Sequence, residues 1–239
     1  MIGYERYVAA LRHEAAALAA AARAGDLAAP VPSCPEWTVR DLLAHLGRGF
    51  RRVATIIRDH ADAEVSFEGV AVPEEGVVEW FEDATAELVE ALTNEEPESP
   101  AWNWSGDDQT VAFWARRMAH EVAVHRWDAE SARGVAAPIE PELAVDGVDE
   151  LLDVFLPYSL GRRPVDGLEG TFAVVATDAG EAWSGRMRPD SSEVSRGAAA
   201  SPPDATLRGT ASDLMLAMWG RSAPVEASGD ARITGVLTE

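Results

Sequence analysis

The segment spanning residues 38–57 constrains the fold more than any other part of the chain, because it has the pattern of a capped amphipathic helix. Thr38 is a good N-cap residue, and Asp41 stands three positions later as the acidic half of a capping-box-like pair. Apolar residues then recur every three or four positions, as one buried helix face requires: Val39, Leu42, Leu43, Leu46, Phe50, Val53 and Ile57. Such a stripe has to be covered, so the segment predicts a packed helical domain.

Three further segments of similar length have helical patterns. They span about 4–22, 75–92 and 109–132, and Gly25 ends the first, while Gly134 and Pro138 terminate the last. The proline-containing stretch between the first two helices is predicted to be a loop. Four helices of this length joined by loops predict an antiparallel four-helix bundle.

Beyond Pro138 the pattern changes from long helices to a mixture of helix and strand signals. The predicted elements are a helix at 142–159, strand-like alternation at 171–176 and 182–184, a helix at 212–219, and short strands to the end of the chain. We therefore expect two domains: a mainly α four-helix bundle at 1–138 and a smaller α+β domain at 139–239.

Charge and composition exclude several classes of protein. The 41 acidic and 20 basic residues give a net charge of −21, which repels nucleic acid and anionic membrane surfaces. All basic residues are Arg, so Schiff-base chemistry and a phosphate-loop Lys are excluded. The single cysteine, Cys34, the charged N-terminal segment and the lack of a long apolar run predict a soluble, cytoplasmic protein that binds neither membrane nor nucleic acid.

The run AHEVAVHRWD at 119–128 has the residue types of a metal site but not the spacing of a zinc-protease helix. His120 and His125 are five positions apart, so they point about 140° from each other around a helix. Glu121 and His125 differ by about 40°, and Asp128 returns to within about 20° of Glu121. The converging face therefore consists of Glu121, His125 and Asp128.

A third metal ligand has to come from another helix, and His45 is the best donor. It lies roughly 100° from the centre of the apolar stripe of its helix, where a side chain reaches the groove between two helices. Two His and one carboxylate suit Zn²⁺ or another divalent transition metal. The alternative is that Glu121 and His125 form an ordinary surface pair and that His45 is a boundary residue. We expect His120 to be a solvated or boundary residue.

Three motifs resemble those of a known family. They are CPEWTVRDLLAHL at 34–46, the run at 120–130, and LMLAMWGR at 214–221. The chain resembles, over nearly its whole length, the mycothiol-dependent maleylpyruvate isomerase family. That family combines an N-terminal metal-binding bundle of the DinB/YfiT-like kind with a C-terminal α+β module related to sterol-carrier folds.

The resemblance implies a metal triad at His45, Glu121 and His125, the same three residues that helix geometry selects. Asp128 is then expected to orient a ligand or to hydrogen-bond bound water. Arg221 best matches an arginine implicated in the isomerase, where it would bind a substrate carboxylate. The resemblance further implies mycothiol or a similar thiol as cosubstrate and a small electrophilic substrate, with cis–trans isomerisation or thiol S-transfer as the reaction. Cys34 is expected to be structural.

A second class of function stays open at the level of the sequence. The metal could be structural, in a binding or regulatory module without catalysis. A fourth protein ligand, such as Asp128 or His120, would favour this module, whereas an open coordination position would favour an enzyme. The sequence fits a monomer or a homodimer.

Overall fold

The chain divides into two compact units between residues 137 and 138. The computed structural model describes residues 2–66, 69–106 and 108–238. Within these ranges the N-terminal unit is helical apart from a short hairpin, and the C-terminal unit combines helices with a sheet. This architecture confirms the predicted fold class.

Four long helices form the N-terminal unit within its described residues: α1 (Tyr4–Ala24), α2 (Val39–Arg58), α3 (Val77–Asn94) and α4 (Val111–Ser131). Helix α1 packs against α3 and α4, and α2 packs against the same two helices. Each helix thus has two neighbours, as in a four-helix bundle. The α2 and α4 contact is the one that matters for the candidate site.

The start of α2 is set by the predicted capping box. The Asp41 amide donates to the Thr38 hydroxyl at 3.2 Å, and the Thr38 amide donates to the Asp41 carboxylate at 2.9 Å. Further along, α2 and α3 approach closely at Gly47, where a Cβ would lie 2.1 Å from the Trp80 ring. Only glycine fits there. Together these features define the position of α2 in the bundle.

The proline-containing stretch predicted as a loop contains a two-stranded hairpin. Strand β1 (Pro30–Val31) pairs antiparallel with β2 (Cys34–Thr38) and leads into α2. The loop prediction was wrong. The prolines in this stretch are typical of turns, but proline is also tolerated on short edge strands, so the pattern does not distinguish the two. The hairpin brings Ser33 close to α4.

The C-terminal unit is built on a five-stranded sheet within residues 138–238, in the order β5-β4-β3-β6-β7. Strands β3 and β6 are parallel, and the other neighbouring pairs are antiparallel. The elements in chain order are α5 (Pro141–Glu150), a π-helical segment (Leu151–Phe155), α6 (Leu156–Arg162), β3 (Gly170–Ala176), β4 (Glu181–Arg188), β5 (Ser191–Arg196), β6 (Ala205–Gly209), α7 (Ala211–Met218), β7 (Glu226–Gly229) and α8 (Ala231–Thr238).

Two features of this unit differ from the sequence-based expectation. The helix predicted at 142–159 is interrupted by the π-helical segment Leu151–Phe155. The last described element is a helix rather than a strand. The β-branched residues and Gly235 favour extended backbone there, but α8 buries Ile233 and Leu237 four positions apart on one face. Tertiary packing overrides local propensity. None of the described helices is long and apolar enough to cross a membrane.

Candidate metal centre

The candidate metal centre lies where α2 and α4 face each other. His45 is on α2, seven positions after the N-cap, and Glu121 and His125 are on α4 four positions apart. Glu121 Oε1 lies 3.2 Å from His45 Nε2 and 3.3 Å from His125 Nε2. One ligand atom from each residue lies within 4.8 Å of the other two. The structure therefore brings together the three residues predicted as ligands.

The spacing of these three atoms fits a transition metal. Zn²⁺ binds imidazole nitrogen and carboxylate oxygen at about 2.0–2.2 Å, so the ligand atoms of a tetrahedral ion are roughly 3.3 Å apart. The two distances to Glu121 Oε1 are close to this value. Within residues 2–66, 69–106 and 108–238, this is the group of three potential ligands that converges. Three protein ligands would leave one position open on a four-coordinate ion.

Asp128 holds His125 from the side opposite to the cluster. Its Oδ2 accepts a hydrogen bond from His125 Nδ1 at 2.8 Å, which leaves Nε2 directed at Glu121. The other carboxylate oxygen accepts a 2.5 Å hydrogen bond from the Ser33 hydroxyl of the β1–β2 turn. Because Asp128 is fully buried, this chain of contacts ties the imidazole to the hairpin. Asp128 is thus placed to orient a ligand.

Arg117 holds Glu121 in a comparable way. It lies four positions before Glu121 on α4, and its guanidinium donates to Oε2 at 3.0 Å. The other oxygen, Oε1, is the one that faces both imidazoles. Arg117 is buried, so its contact orients the carboxylate and offsets its charge. The carboxylate therefore presents a single oxygen to the cluster.

Trp37 forms an aromatic wall beside the two imidazoles. Its ring centroid lies 4.9 Å from that of His45 and 6.2 Å from that of His125. The His45 ring is partly exposed, with 42% of its side-chain surface accessible, whereas the His125 side chain is 9% exposed. The cluster is therefore open on the His45 side and closed on the His125 side.

The electrostatics favour an ionised carboxylate at the cluster. Burial alone would raise the pKa of Glu121, but hydrogen bonds from His125 and His45 and the charge of Arg117 hold it well below its usual range. Burial alone would lower the pKa of His125, but its contacts with Asp128 and Glu121 raise it to about 9. A cation that binds at Nε2 of His125 consequently replaces a proton.

His120 lies elsewhere, and the expectation that it is solvated or at a boundary was wrong. Its side chain is fully buried, and its ring contacts Tyr7 edge to face at 6.1 Å between centroids. Helix α4 packs against both α1 and α2, so it has core contacts on more than one face. Spacing alone leaves this face of α4 in solvent, whereas packing against α1 covers it. Neither His120 nor Asp128 belongs to the converging group.

Arg221, the residue predicted to bind a substrate carboxylate, belongs to the C-terminal unit. It follows the end of α7 at Gly220, whose φ of 73° is in the left-handed region. Its guanidinium donates to the Trp219 carbonyl at 2.7 Å. Cys34 is on β2 and is a half-buried free cysteine. The proposed substrate contact of Arg221 and the structural role of Cys34 stay predictions.

Sequence reasoning missed Ser33, Trp37 and Arg117. The spacing of Arg117 and Glu121 is a recognisable i,i+4 pair, so this contact had a signal in the sequence. Ser33 and Trp37 reach the cluster only because the hairpin folds against α4, and hairpin and helix are about 90 positions apart in the chain.

These observations define a class: a helical bundle with a candidate His-Glu-His metal centre, followed by an α+β unit. The chain belongs to the mycothiol maleylpyruvate isomerase family. Residues 8–130 match the family described as "Mycothiol maleylpyruvate isomerase N-terminal domain", and residues 142–237 match "MDMPI C-terminal domain". The resemblance inferred from the three motifs is thereby confirmed.

Individual relatives agree with this assignment. Uncharacterized proteins from two strains of Mycobacterium tuberculosis are 30% identical over 131 residues, which is 55% of this chain and 68% of theirs. Crystal structures of the mycothiol-dependent maleylpyruvate isomerase and of a point mutant of it have the same fold, with TM-scores of 0.65 and 0.64. They are 14% and 13% identical, and each comparison covers 96% of this chain and 95% of the other.

Proposed function

We propose that the chain is a metal- and mycothiol-dependent enzyme that acts on a small electrophilic dicarboxylate of the maleylpyruvate type. The observation that carries this proposal is the convergence of Glu121 Oε1 with Nε2 of His45 and His125. The donor set of two imidazoles and one carboxylate suits a divalent transition metal, Zn²⁺ in particular. Membership of the isomerase family supports the reaction class.

Three residues of the cluster would bind such an ion, and two neighbouring residues orient them. When bound, a divalent ion lowers the pKa of a coordinated thiol and so supplies thiolate at neutral pH. His45 and His125 contribute neutral nitrogen donors, and Glu121 contributes one negative charge. Asp128 keeps His125 in the tautomer with a proton on Nδ1, and Arg117 keeps Glu121 turned toward the imidazoles. The open side near His45 is the proposed entry for thiol and substrate.

The proposed isomerisation conserves atoms and electrons. The thiolate sulfur bonds to one carbon of the cis double bond, and the π electron pair moves onto the conjugated carbonyl oxygen. The former double bond is now single and rotates. The electron pair then re-forms the double bond as the C–S bond breaks, so that thiolate returns and no proton is gained. If the α-carbon of this enolate instead takes up a proton from water, equivalent to the one the thiol lost on ionisation, and the C–S bond persists, the product is a thioether and the reaction is S-transfer.

Arg221 is proposed to bind a carboxylate of the substrate. A guanidinium matches a carboxylate through two parallel hydrogen bonds and stays charged at every physiological pH. We expect Arg221→Gln to raise KM for the dicarboxylate at least tenfold while metal content and thiol affinity stay the same. An unchanged KM would remove Arg221 from the substrate site.

The rival proposal is a metal-stabilised binding or regulatory module without catalysis. It shares the cluster but predicts neither thiol-dependent turnover nor an exchangeable coordination position.

Four finer expectations from the sequence stay predictions. They are domain limits at 1–138 and 139–239, sterol-carrier likeness of the C-terminal domain, a cytoplasmic location, and a monomer or homodimer.

Metal content tests the cluster directly. Protein purified without a histidine tag is stripped with chelator, dialysed against Zn²⁺, and assayed by mass spectrometry for bound metal. We expect one ion per chain in the wild type and none in His45→Ala. The matched control is His13→Ala, which changes an exposed histidine outside the cluster and should retain one ion. Equal metal content in all three proteins would remove both metal proposals.

Turnover separates enzyme from module. The metal-loaded protein is mixed with maleylpyruvate, with or without mycothiol, and the vinyl protons of the cis and trans isomers are followed by NMR. We expect conversion to the trans isomer only when thiol is present, and a thioether product would indicate S-transfer. A protein that binds one ion but converts no electrophile with thiol would be the binding module.

A further inference from the structure

The C-terminal unit contains a cavity of about 310 Å³ that shares no residue with the metal cluster. It lies between the π-helical segment with α6 and Arg163 on one side and the end of α7 and α8 on the other. Its volume is at the lower end of the ~300–1,000 Å³ typical of small-molecule sites. The cavity is therefore large enough for one small ligand.

The polarity of the cavity wall changes along the helical segment. Leu151, Phe155 and Leu156 line its first part, and Tyr158, Ser159 and the Arg162–Arg163 pair line its last part. At 1.5 Å per residue, the distance from Phe155 to Arg162 along the axis is roughly 10 Å. A ligand that follows this wall therefore needs an apolar body and a polar head, joined by a short chain that spans roughly 10 Å in total.

The apolar end of the cavity is aromatic. Phe155 and Trp219 contact each other edge to face, with 4.7 Å between their centroids, and both line the cavity. Phe155 also ends the π-helical segment, a type of helix irregularity that is frequent at functional sites. Aromatic walls pack well against a planar apolar ring. These contacts favour an aromatic ligand body.

The polar end carries two positive charges without carboxylate partners. Arg162 donates to the Tyr158 hydroxyl at 3.0 Å, and neither Arg162 nor Arg163 forms an ion pair with any residue of the described ranges. Both side chains are exposed. In a chain with twice as many acidic as basic residues, two adjacent guanidiniums without a counter-ion are unusual, and they attract an external anion.

The helix dipole explains part of this arrangement but not all of it. A cation at the C-terminus of α6 is favourable by itself, and this would account for Arg162 without any ligand. It does not account for a cavity that begins at those arginines and continues to an aromatic end. We propose that the cavity binds a small amphipathic carboxylate, with its aromatic body against Phe155 and Trp219 and its carboxylate on Arg162 and Arg163.

The proposal is tested by titrating the full-length protein with 4-phenylbutyrate in a calorimeter. Two further probes keep the body and change the head: 4-phenylbutanol is neutral, and 4-phenylbutylamine is cationic. Acetate keeps the head and lacks the body. We expect the carboxylate to bind at least tenfold more tightly than the alcohol, and neither the amine nor acetate to bind measurably.

Paired charge variants localise the site. Arg162→Gln with Arg163→Gln should weaken 4-phenylbutyrate binding at least tenfold and leave binding of the alcohol unchanged. The matched control, Arg186→Gln with Arg208→Gln, makes the same change in net charge at two exposed arginines of the same unit that do not line the cavity, and should bind as the wild type does.

A second variant fills the cavity without touching the arginines. Ser159→Trp places a large ring at the exposed cavity wall and should abolish binding of both the carboxylate and the alcohol, while circular dichroism confirms the fold. No heat of binding for 4-phenylbutyrate at millimolar concentration, equal affinity for the carboxylate and the alcohol, or equal losses in the two double variants would each overturn the proposal. The test requires neither metal nor mycothiol, so its outcome is independent of the proposed enzyme activity.

Discussion

The metal cluster of the bundle and the cavity of the C-terminal unit differ in whether their charged side chains have oppositely charged partners in the protein. In the bundle, Glu121 contacts two imidazoles and Arg117, and Asp128 contacts His125 and Ser33, so that each charged group already has partners in the protein. At the cavity, Arg162 and Arg163 are exposed and pair with no carboxylate of the described ranges.

This difference indicates what each region is built to bind. A cluster whose side chains are held by neighbouring hydrogen bonds is preorganised, so a metal ion binds without rearranging its ligands. Exposed arginines next to an apolar cavity, by contrast, lack a carboxylate partner among the described residues, and the proposed ligand supplies that carboxylate from solution. We therefore expect changes in the bundle to lower stability and metal affinity, and changes at the cavity mouth to alter ligand affinity alone.

The largest expected effect comes from breaking a buried ion pair of the bundle. Glu14 and Arg126 form a buried ion pair at 2.8 Å, and each side chain is about 5% exposed. We expect Glu14→Ala to lower the free energy of unfolding by about 3 kcal/mol, because it removes one of the carboxylates that neutralise a buried guanidinium. Urea denaturation followed by helical circular dichroism measures this. The exposed pair Arg188–Glu193 is the control, since Glu193→Ala should cost less than about 1 kcal/mol.

Next in size is the loss of the central ligand. Glu121 Oε1 is the atom closest to both imidazole nitrogens, and an amide supplies a much poorer metal ligand than a carboxylate. We expect Glu121→Gln to weaken Zn²⁺ binding more than about 100-fold in a competition titration with a chelating dye, a larger loss than substitution of an orienting residue causes. The exposed Glu90→Gln is the matched control and should bind as the wild type does. Retained affinity in Glu121→Gln would contradict the assignment of the ligand.

A smaller effect is expected when only the orientation of a ligand changes. Asp128→Asn keeps the shape of the side chain but weakens the acceptor for His125 Nδ1. Such partners of metal-binding histidines are worth about 10–100-fold in metal affinity. We expect Asp128→Asn to lie in that range and Ser33→Ala, one contact further out, to have a smaller effect in the same titration. A Ser33→Ala variant weaker than Asp128→Asn would reverse the proposed order of contacts.

The smallest effect concerns the cap that positions His45. Thr38→Ala removes the hydroxyl that accepts from the Asp41 amide and should lower the free energy of unfolding by about 1 kcal/mol. Hydrogen bonds from the Thr38 hydroxyl and amide lower the pKa of Asp41 in the folded chain.

The sign of the pH dependence follows from that lowered pKa. The stability contributed by ionised Asp41 is fully present above the unfolded pKa of about 3.9 and is lost as pH falls through the lower, folded value. We therefore expect Asp41→Asn to be less stable than the wild type at pH 7 and the difference to shrink below about pH 4. Denaturation curves at both pH values measure it, and a difference that grows on acidification would contradict the assigned shift.

Much of the bundle was readable from local sequence because a regular helix has a fixed angular repeat. The capping pair Thr38–Asp41, the four long helices and the separation of His120 from His125 all follow from spacing within one segment. The three candidate ligands also follow from helical spacing. Glu121 and His125 share one face of α4, and His45 lies at the flank of the apolar face of α2. The structure confirms the fold class and brings His45, Glu121 and His125 together.

Other features were decided only by tertiary structure. His120 is buried because α1 covers the side of α4 that spacing alone assigns to solvent, and Ser33 reaches Asp128 because a hairpin folds against a helix about 95 positions later. The π-helical segment and the final helix arise where packing against distant partners outweighs local preference: Phe155 contacts Trp219, and Ile233 and Leu237 are buried. Periodicity is a property of neighbouring residues and is visible in the chain. Which surfaces become covered depends on contacts between residues far apart in sequence, and the cavity with its two arginines exists only as a result of those contacts.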